Sequence, residues 1–185
     1  MSVKTQEKNN KPRLTVLDTV YTAMFAAVIA VCSIVSIPVG EIPVTLQAFA
    51  VCLSAAMLGF KRGTVSVLVY ILIGAVGAPV FAGMRGGVGV LAGPTGGYIV
   101  GFIPAAAIIG LAADKFGRKA VPLALAMVIG MILCYTVGTV WFMVVMKRGL
   151  IETLTVCVLP FLIPDAVKIA AAVLLSNRLS RIAGL

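Results

Sequence analysis

Six apolar stretches, each near the length that crosses a bilayer, follow one another with little between them, and no other feature constrains this chain as strongly. They lie near residues 16–37, 44–60, 64–82, 94–113, 120–146 and 153–175. Of the 185 residues, 61% are hydrophobic and 11% charged, against roughly half and a quarter in a soluble domain. One core of this size cannot bury so much apolar surface, so much of it must face lipid. The expected fold is an all-α integral membrane protein with six transmembrane helices and a Gly-rich outer loop between helices 3 and 4. Residues 1–15 read as a cytoplasmic tail and 16–185 as a single membrane domain. The tail's Lys4, Lys8, Lys11 and Arg13 lead into the first apolar run without a small-residue cleavage site, which predicts an uncleaved first helix.

Charge placement gives the orientation. Fifteen Lys and Arg against six Asp and Glu make a net charge of +9, but the basic residues stand in short clusters between apolar runs rather than along one groove. Nucleic acid is therefore not an expected partner. With the amino terminus inside, the tails and the second and fourth loops hold eleven of these residues: the four of the tail, Lys61, Arg62, Lys115, Arg118, Lys119, Arg178 and Arg181. Arg85, Lys147 and Arg148 fall in outer loops, and Lys168 lies inside the last span. The positive-inside rule then places both termini in the cytoplasm and the chain in the cell membrane.

The sequence contains no histidine, which excludes histidine-based acid–base catalysis, Ser-His-Asp triads and histidine metal ligands. Cys32, Cys52, Cys134 and Cys157 all lie in apolar runs without metal-ligand spacing, and read as small hydrophobes. The run Gly87-Val88-Gly89-Val90-Leu91-Ala92-Gly93 has neither the G-x-G-x-x-G spacing nor the Lys and Ser/Thr of a P-loop. No ATP hydrolysis, no cofactor and no enzymatic reaction is expected of this chain alone.

Charges inside the spans need a reason, because each costs about 2.5 to 3.5 kcal/mol near the bilayer centre. Asp18 has a local one, at the cytoplasmic start of the first helix. Asp165 and Lys168 stand three residues apart, roughly 60° around a helix and about 4.5 Å along it, so they share a face. They could form a mutual ion pair, with Asp165 in the first turn of a helix restarted at Pro164. Facing a cavity, they would instead offer an acceptor and a donor to a small polar metabolite. Arg85 could contact an anion or act as an interfacial arginine. Gln47 and Tyr98 are polar groups at the same membrane level, open to the ligand or satisfied locally. In the first span, Ala23 with Ala27 and Ala26 with Ala30 make small-xxx-small pairs, suited to packing within the bundle or to another helix.

Three motifs together are distinctive: Pro43-Val44-Thr45-Leu46-Gln47, the run Leu91-Ala92-Gly93-Pro94-Thr95-Gly96-Gly97-Tyr98 at the end of the Gly-rich loop, and Pro164-Asp165-Ala166-Val167-Lys168. In this combination, over nearly the whole chain, the sequence resembles the BioY family of biotin-specific S components of energy-coupling factor (ECF) transporters. The resemblance implies six helices, biotin captured from outside, and an energising module of a transmembrane T component and two cytoplasmic ATPases. It further implies that Asp165 accepts a ureido N–H, that Lys168 binds a ligand oxygen, and that Arg85 meets the valerate carboxylate. Thr95, Gly96, Gly97 and Tyr98 would shape the pocket, Gln47 would reach it, and the first-helix alanines would dock on the T component. The loaded S component would topple in the membrane when the partners hydrolyse ATP. The competing expectation is a proton-coupled carrier in which Asp165 titrates during transport.

Overall fold

The computed structural model describes residues 15–38 and 42–183. The tail lysines Lys4, Lys8 and Lys11, together with Arg13, lie outside the described residues, as does the side chain of Arg181. Helix α1, Val16–Ile34, starts where the Thr15 backbone N–H donates to Asp18 Oδ2 at 3.1 Å. Asp18 also pairs with Arg62 at 2.6 Å, so the local role expected of this acid is joined by a tertiary one.

The α1 exit is not purely helical. Ser36–Ile37 (β1) and Val44–Thr45 (β2) form a short antiparallel ladder, with Ser36 opposite Thr45 and Ile37 opposite Val44. These positions had been expected within helical spans. Ile37, Val44 and Thr45 are β-branched, and Pro38 and Pro43 adjoin the two strands on their loop side, both of which favour the extended backbone instead.

Helix α2 runs Gln47–Ala75 and absorbs two of the expected spans. Inside it Gly59 is non-helical (φ 77°, ψ −172°), and the chain folds back there. A Cβ added at Gly63 would lie 2.7 Å from Ala55 Cα, whereas eight residues on a continuous helix span about 12 Å. The turn is so tight that Lys61 and Arg62, the expected loop, are already helical. It is satisfied from outside, since the Phe60 N–H donates to Asp114 Oδ2 at 2.9 Å and Arg118 Nη2 donates to the Met57 carbonyl at 2.6 Å. The two arms, 47–58 and 60–75, are about 18 and 24 Å long, short of the roughly 30 Å hydrocarbon core. Five helices among the described residues, rather than six, are long and apolar enough to cross a membrane, because Gln47–Ala75 counts once although it folds back at Gly59.

The glycine-rich segment that follows carries a short helix α3 (Val88–Ala92) and an isolated bridge between Phe81 and Arg85. Phe81 is buried edge-on against Tyr70, ring centroids 5.6 Å apart. Any side chain at Gly74 would collide with its ring. Helix α4 (Gly96–Phe116) packs between α2 and α5 (Ala120–Met146), and α1 lies along α2. The last expected span is divided at Val158 into α6 (Leu150–Cys157) and α7 (Leu159–Ala183). Helix α7 thus restarts at Leu159, and Asp165 stands inside it rather than in a first turn after Pro164. The outward surface is apolar: Val31, Ile129, Ile132, Val144 and Leu174 are all more than half exposed. Such side chains suit lipid, and the protein is a multi-pass membrane protein.

Candidate binding site

One cavity gathers most of the residues singled out by sequence. The empty space it encloses, open mouth included, is ≈ 690 Å³. Gln47 reaches it from the start of α2, Tyr98 from α4, Asp165 and Lys168 from α7, and Arg85 and Thr95 from the glycine-rich segment. Phe81, Phe102, Met131 and Phe161 give it apolar walls.

Asp165 is the centre of its polar chemistry. Lys168 Nζ lies 2.5 Å from Asp165 Oδ1, and these side chains are 11% and 8% exposed respectively. The phenol of Tyr135 donates to Asp165 Oδ2 from α5. Each carboxylate oxygen therefore holds one protein donor and keeps acceptor capacity for another. Lys168 keeps two further N–H groups. The pair balances its own charge inside the protein and still presents donors and acceptors to the cavity, so the ion pair and the ligand site are compatible.

Gln47 is buried. Its Oε1 accepts from Ser33 Oγ at 3.3 Å, Ser33 in turn accepts from the Tyr70 hydroxyl at 2.9 Å, and Gln47 Nε2 has no partner among the described residues. The Tyr98 hydroxyl stands 3.4 Å from Thr139 Oγ1. Arg85 is exposed at the cavity edge, where its Nε donates to the Ala82 carbonyl at 3.3 Å.

Gly96 and Gly97 are not among the lining residues. They set the walls indirectly. A Cβ at Gly96 would strike the Leu91 carbonyl, and one at Gly97 would come within 2.2 Å of Trp141 Cβ. The α3 segment is also fastened to α5, because Trp141 Nε1 donates to the Gly93 carbonyl at 3.0 Å. Of the first-helix alanines, Ala26 is buried and Ala30 packs against the core, whereas Ala23 and Ala27 are exposed. Sequence reasoning missed Tyr135, Ser33 and Tyr70. Tyr135 carried a signal, as the one tyrosine in a largely apolar run that also holds Thr136 and Thr139, but nothing marked its face.

An apolar-surfaced helical bundle whose buried acid–base pair lines an apolar-walled cavity has the character of a solute-binding membrane protein of the transporter kind. Comparison with known proteins sharpens that class. A sequence profile of the BioY family matches residues 5–184, and the chain belongs to this family. It is 43% identical over 159 residues to the biotin transporter BioY of Thermotoga maritima, covering 86% of this chain and 93% of that one. To the probable biotin transporter BioY of Pyrococcus horikoshii it is 41% identical over 157 residues, covering 85% and 92%. Its fold matches the crystal structure at 2.1 Å of the S-component for biotin from an ECF-type ABC transporter, with a TM-score of 0.84, 26% identity and coverage of 92% and 94%. The family is one of transporters, not of enzymes.

Proposed function

We propose that this chain is the biotin-capturing S component of an energy-coupling factor transporter in the cell membrane. The observation that carries the reading is Asp165, buried at the cavity wall with Tyr135 and Lys168 each holding one of its oxygens. That arrangement offers a fixed acceptor beside an ammonium, which matches the N–H and C=O groups of a ureido ring. Lys168 then binds a ligand oxygen, Arg85 at the cavity edge meets the valerate carboxylate, and Thr95 and Tyr98 bound the pocket.

In this reading the two arms of α2, each shorter than the hydrocarbon core, cross it as a hairpin and count separately, giving six spans with both termini cytoplasmic, and residues 16–185 act as one membrane domain embedded in lipid. A T component and two cytoplasmic ATPases supply the energy. The exposed pair Ala23 and Ala27 offers the T component a surface for close helix approach, while Ala26 and Ala30 support that helix from within. The proton-coupled alternative has less to support it, because a proton on Asp165 would leave the Lys168 charge unbalanced in a buried site.

Titration calorimetry on the purified chain in detergent tests the proposal, with lipoate and thiamine as controls. Biotin alone should bind, without ATP or partners. A folded sample that ignores biotin would remove it as the substrate, and uptake driven by a pH gradient without any ATPase would favour the carrier. Tyr135→Phe should weaken biotin binding about tenfold or more, since a hydrogen bond to a charged group contributes about 1.5–3 kcal/mol. Unchanged affinity in that variant would show that Asp165 does not depend on the phenol.

A further inference from the structure

We infer that Gln47 is a specificity-determining donor, turned by a buried hydroxyl relay so that the cavity demands a ligand oxygen at its amide nitrogen. This rests on the reading of the cavity as the biotin site and adds to it a neutral donor on the α2 side, separate from the Asp165–Lys168 pair on α7.

The relay brings three segments together: Ser33 in the last turn of α1, Gln47 at the start of α2, and Tyr70 in the returning arm of α2. Ser33 and Tyr70 are at most 1% exposed and Gln47 is 6% exposed. Tyr70 donates its only hydroxyl proton to Ser33 Oγ at 2.9 Å, and Ser33 passes its own to Gln47 Oε1 at 3.3 Å. With its oxygen so engaged, the amide can turn only its NH2 to other partners. Thr45 Oγ1 holds the backbone end of the residue, accepting the Gln47 N–H at 3.2 Å.

Gln47 lines the cavity, yet its Nε2 is buried with no hydrogen-bond partner among the described residues. A buried donor left unpaired is destabilising, and proteins rarely retain one without use. The use at hand is a ligand acceptor. Biotin has two, the ureido oxygen and the valerate carboxylate, and both satisfy the same geometry. A ligand that presents only N–H groups at this point is rejected, because donor would face donor.

The test is a calorimetric series with biotin, iminobiotin and biotinamide. Iminobiotin replaces the ureido oxygen by a protonated nitrogen, and biotinamide replaces the carboxylate by an amide. Wild type should prefer biotin strongly over iminobiotin where the ureido oxygen meets Gln47, and by a smaller factor over biotinamide, which keeps a carbonyl acceptor but loses the anion, where the carboxylate does. Gln47→Glu turns the donor into an acceptor and should cut biotin affinity about a hundredfold. The analogue that escapes this loss identifies the group: iminobiotin for the ureido oxygen, biotinamide for the carboxylate.

Gln47→Met, a neutral replacement of similar size, should cost about tenfold for biotin and guards against misfolding of the glutamate variant. Ser33→Ala and Tyr70→Phe should cost only a few-fold for biotin but shrink the preference over the analogue, because a released amide can present its oxygen. Preservation of that preference in Ser33→Ala, or equal losses for all three ligands in both Gln47 variants, would overturn the assignment while leaving biotin as the substrate. Failure of folded wild type to bind biotin would overturn both.

Discussion

Asp165→Ala is expected to reduce biotin affinity at least about a hundredfold and to destabilise the protein by about 3–5 kcal/mol, the usual cost of breaking one side of a buried ion pair. The physical cause is Lys168, whose side chain is only 11% exposed and would keep its charge without a counterion. Asp165→Asn and Lys168→Ala break the same pair and should each cost at least tenfold in affinity, or about 1.4 kcal/mol. Stability and binding separate in the double variant Asp165→Leu/Lys168→Met. It should recover most of the lost thermal stability in detergent, since an apolar pair of similar volume replaces the ions, and still bind no biotin. Binding that survives the double substitution would show the pair to be structural only.

The second large effect lies at the turn inside α2. Gly59→Val should lower stability by about 3–5 kcal/mol, read as a fall in thermal midpoint of the detergent-solubilised chain. Its backbone (φ 77°, ψ −172°) occupies a region open essentially to glycine, which costs other residues about 1–3 kcal/mol. A Cβ there would also lie 2.1 Å from Asp114 Oδ1. Displacing that carboxylate frees the Phe60 N–H, at a cost of about 1–3 kcal/mol where water does not replace it. Asp114→Ala in the same chain should relieve the collision but not the backbone strain, so the two contributions can be read apart. A Gly59→Val protein as stable as wild type would mean that the turn adopts another geometry. Biotin binding should weaken as well, because this turn sets the two arms so that Gln47 and Tyr70 both reach Ser33.

What the sequence made legible follows from how costly each feature is in lipid. The apolar runs and the Asp165–Lys168 pair were readable because charge and hydrocarbon are incompatible, whatever the tertiary fold. The fifth run matches α5 at both ends, since Lys119 and Lys147 cap an unbroken helix. The turn at Gly59 was misplaced to Lys61 and Arg62 because basic residues mark the interface without marking where the backbone reverses. The division of the last span at Val158 was hidden by side chains equally apolar on both sides. Tyr135 and the Tyr70–Ser33 relay depend on which face of a helix meets which neighbour. An almost uniformly apolar helix such as α5 carries little periodicity from which to read that.

The clamp on the α2 turn also bears on the order in which the chain can mature. Its two groups come from Asp114 and Arg118, which lie 54 and 61 residues beyond the atoms they bind. During synthesis the hairpin is made long before those partners exist, and until they arrive only water can satisfy the broken helix ends. The first arm of α2, which delivers Gln47 to the cavity, is therefore fixed in place only after α4 is complete. Capture of a ligand is a property acquired late in the making of the molecule, although one wall of its pocket is among the earliest parts produced.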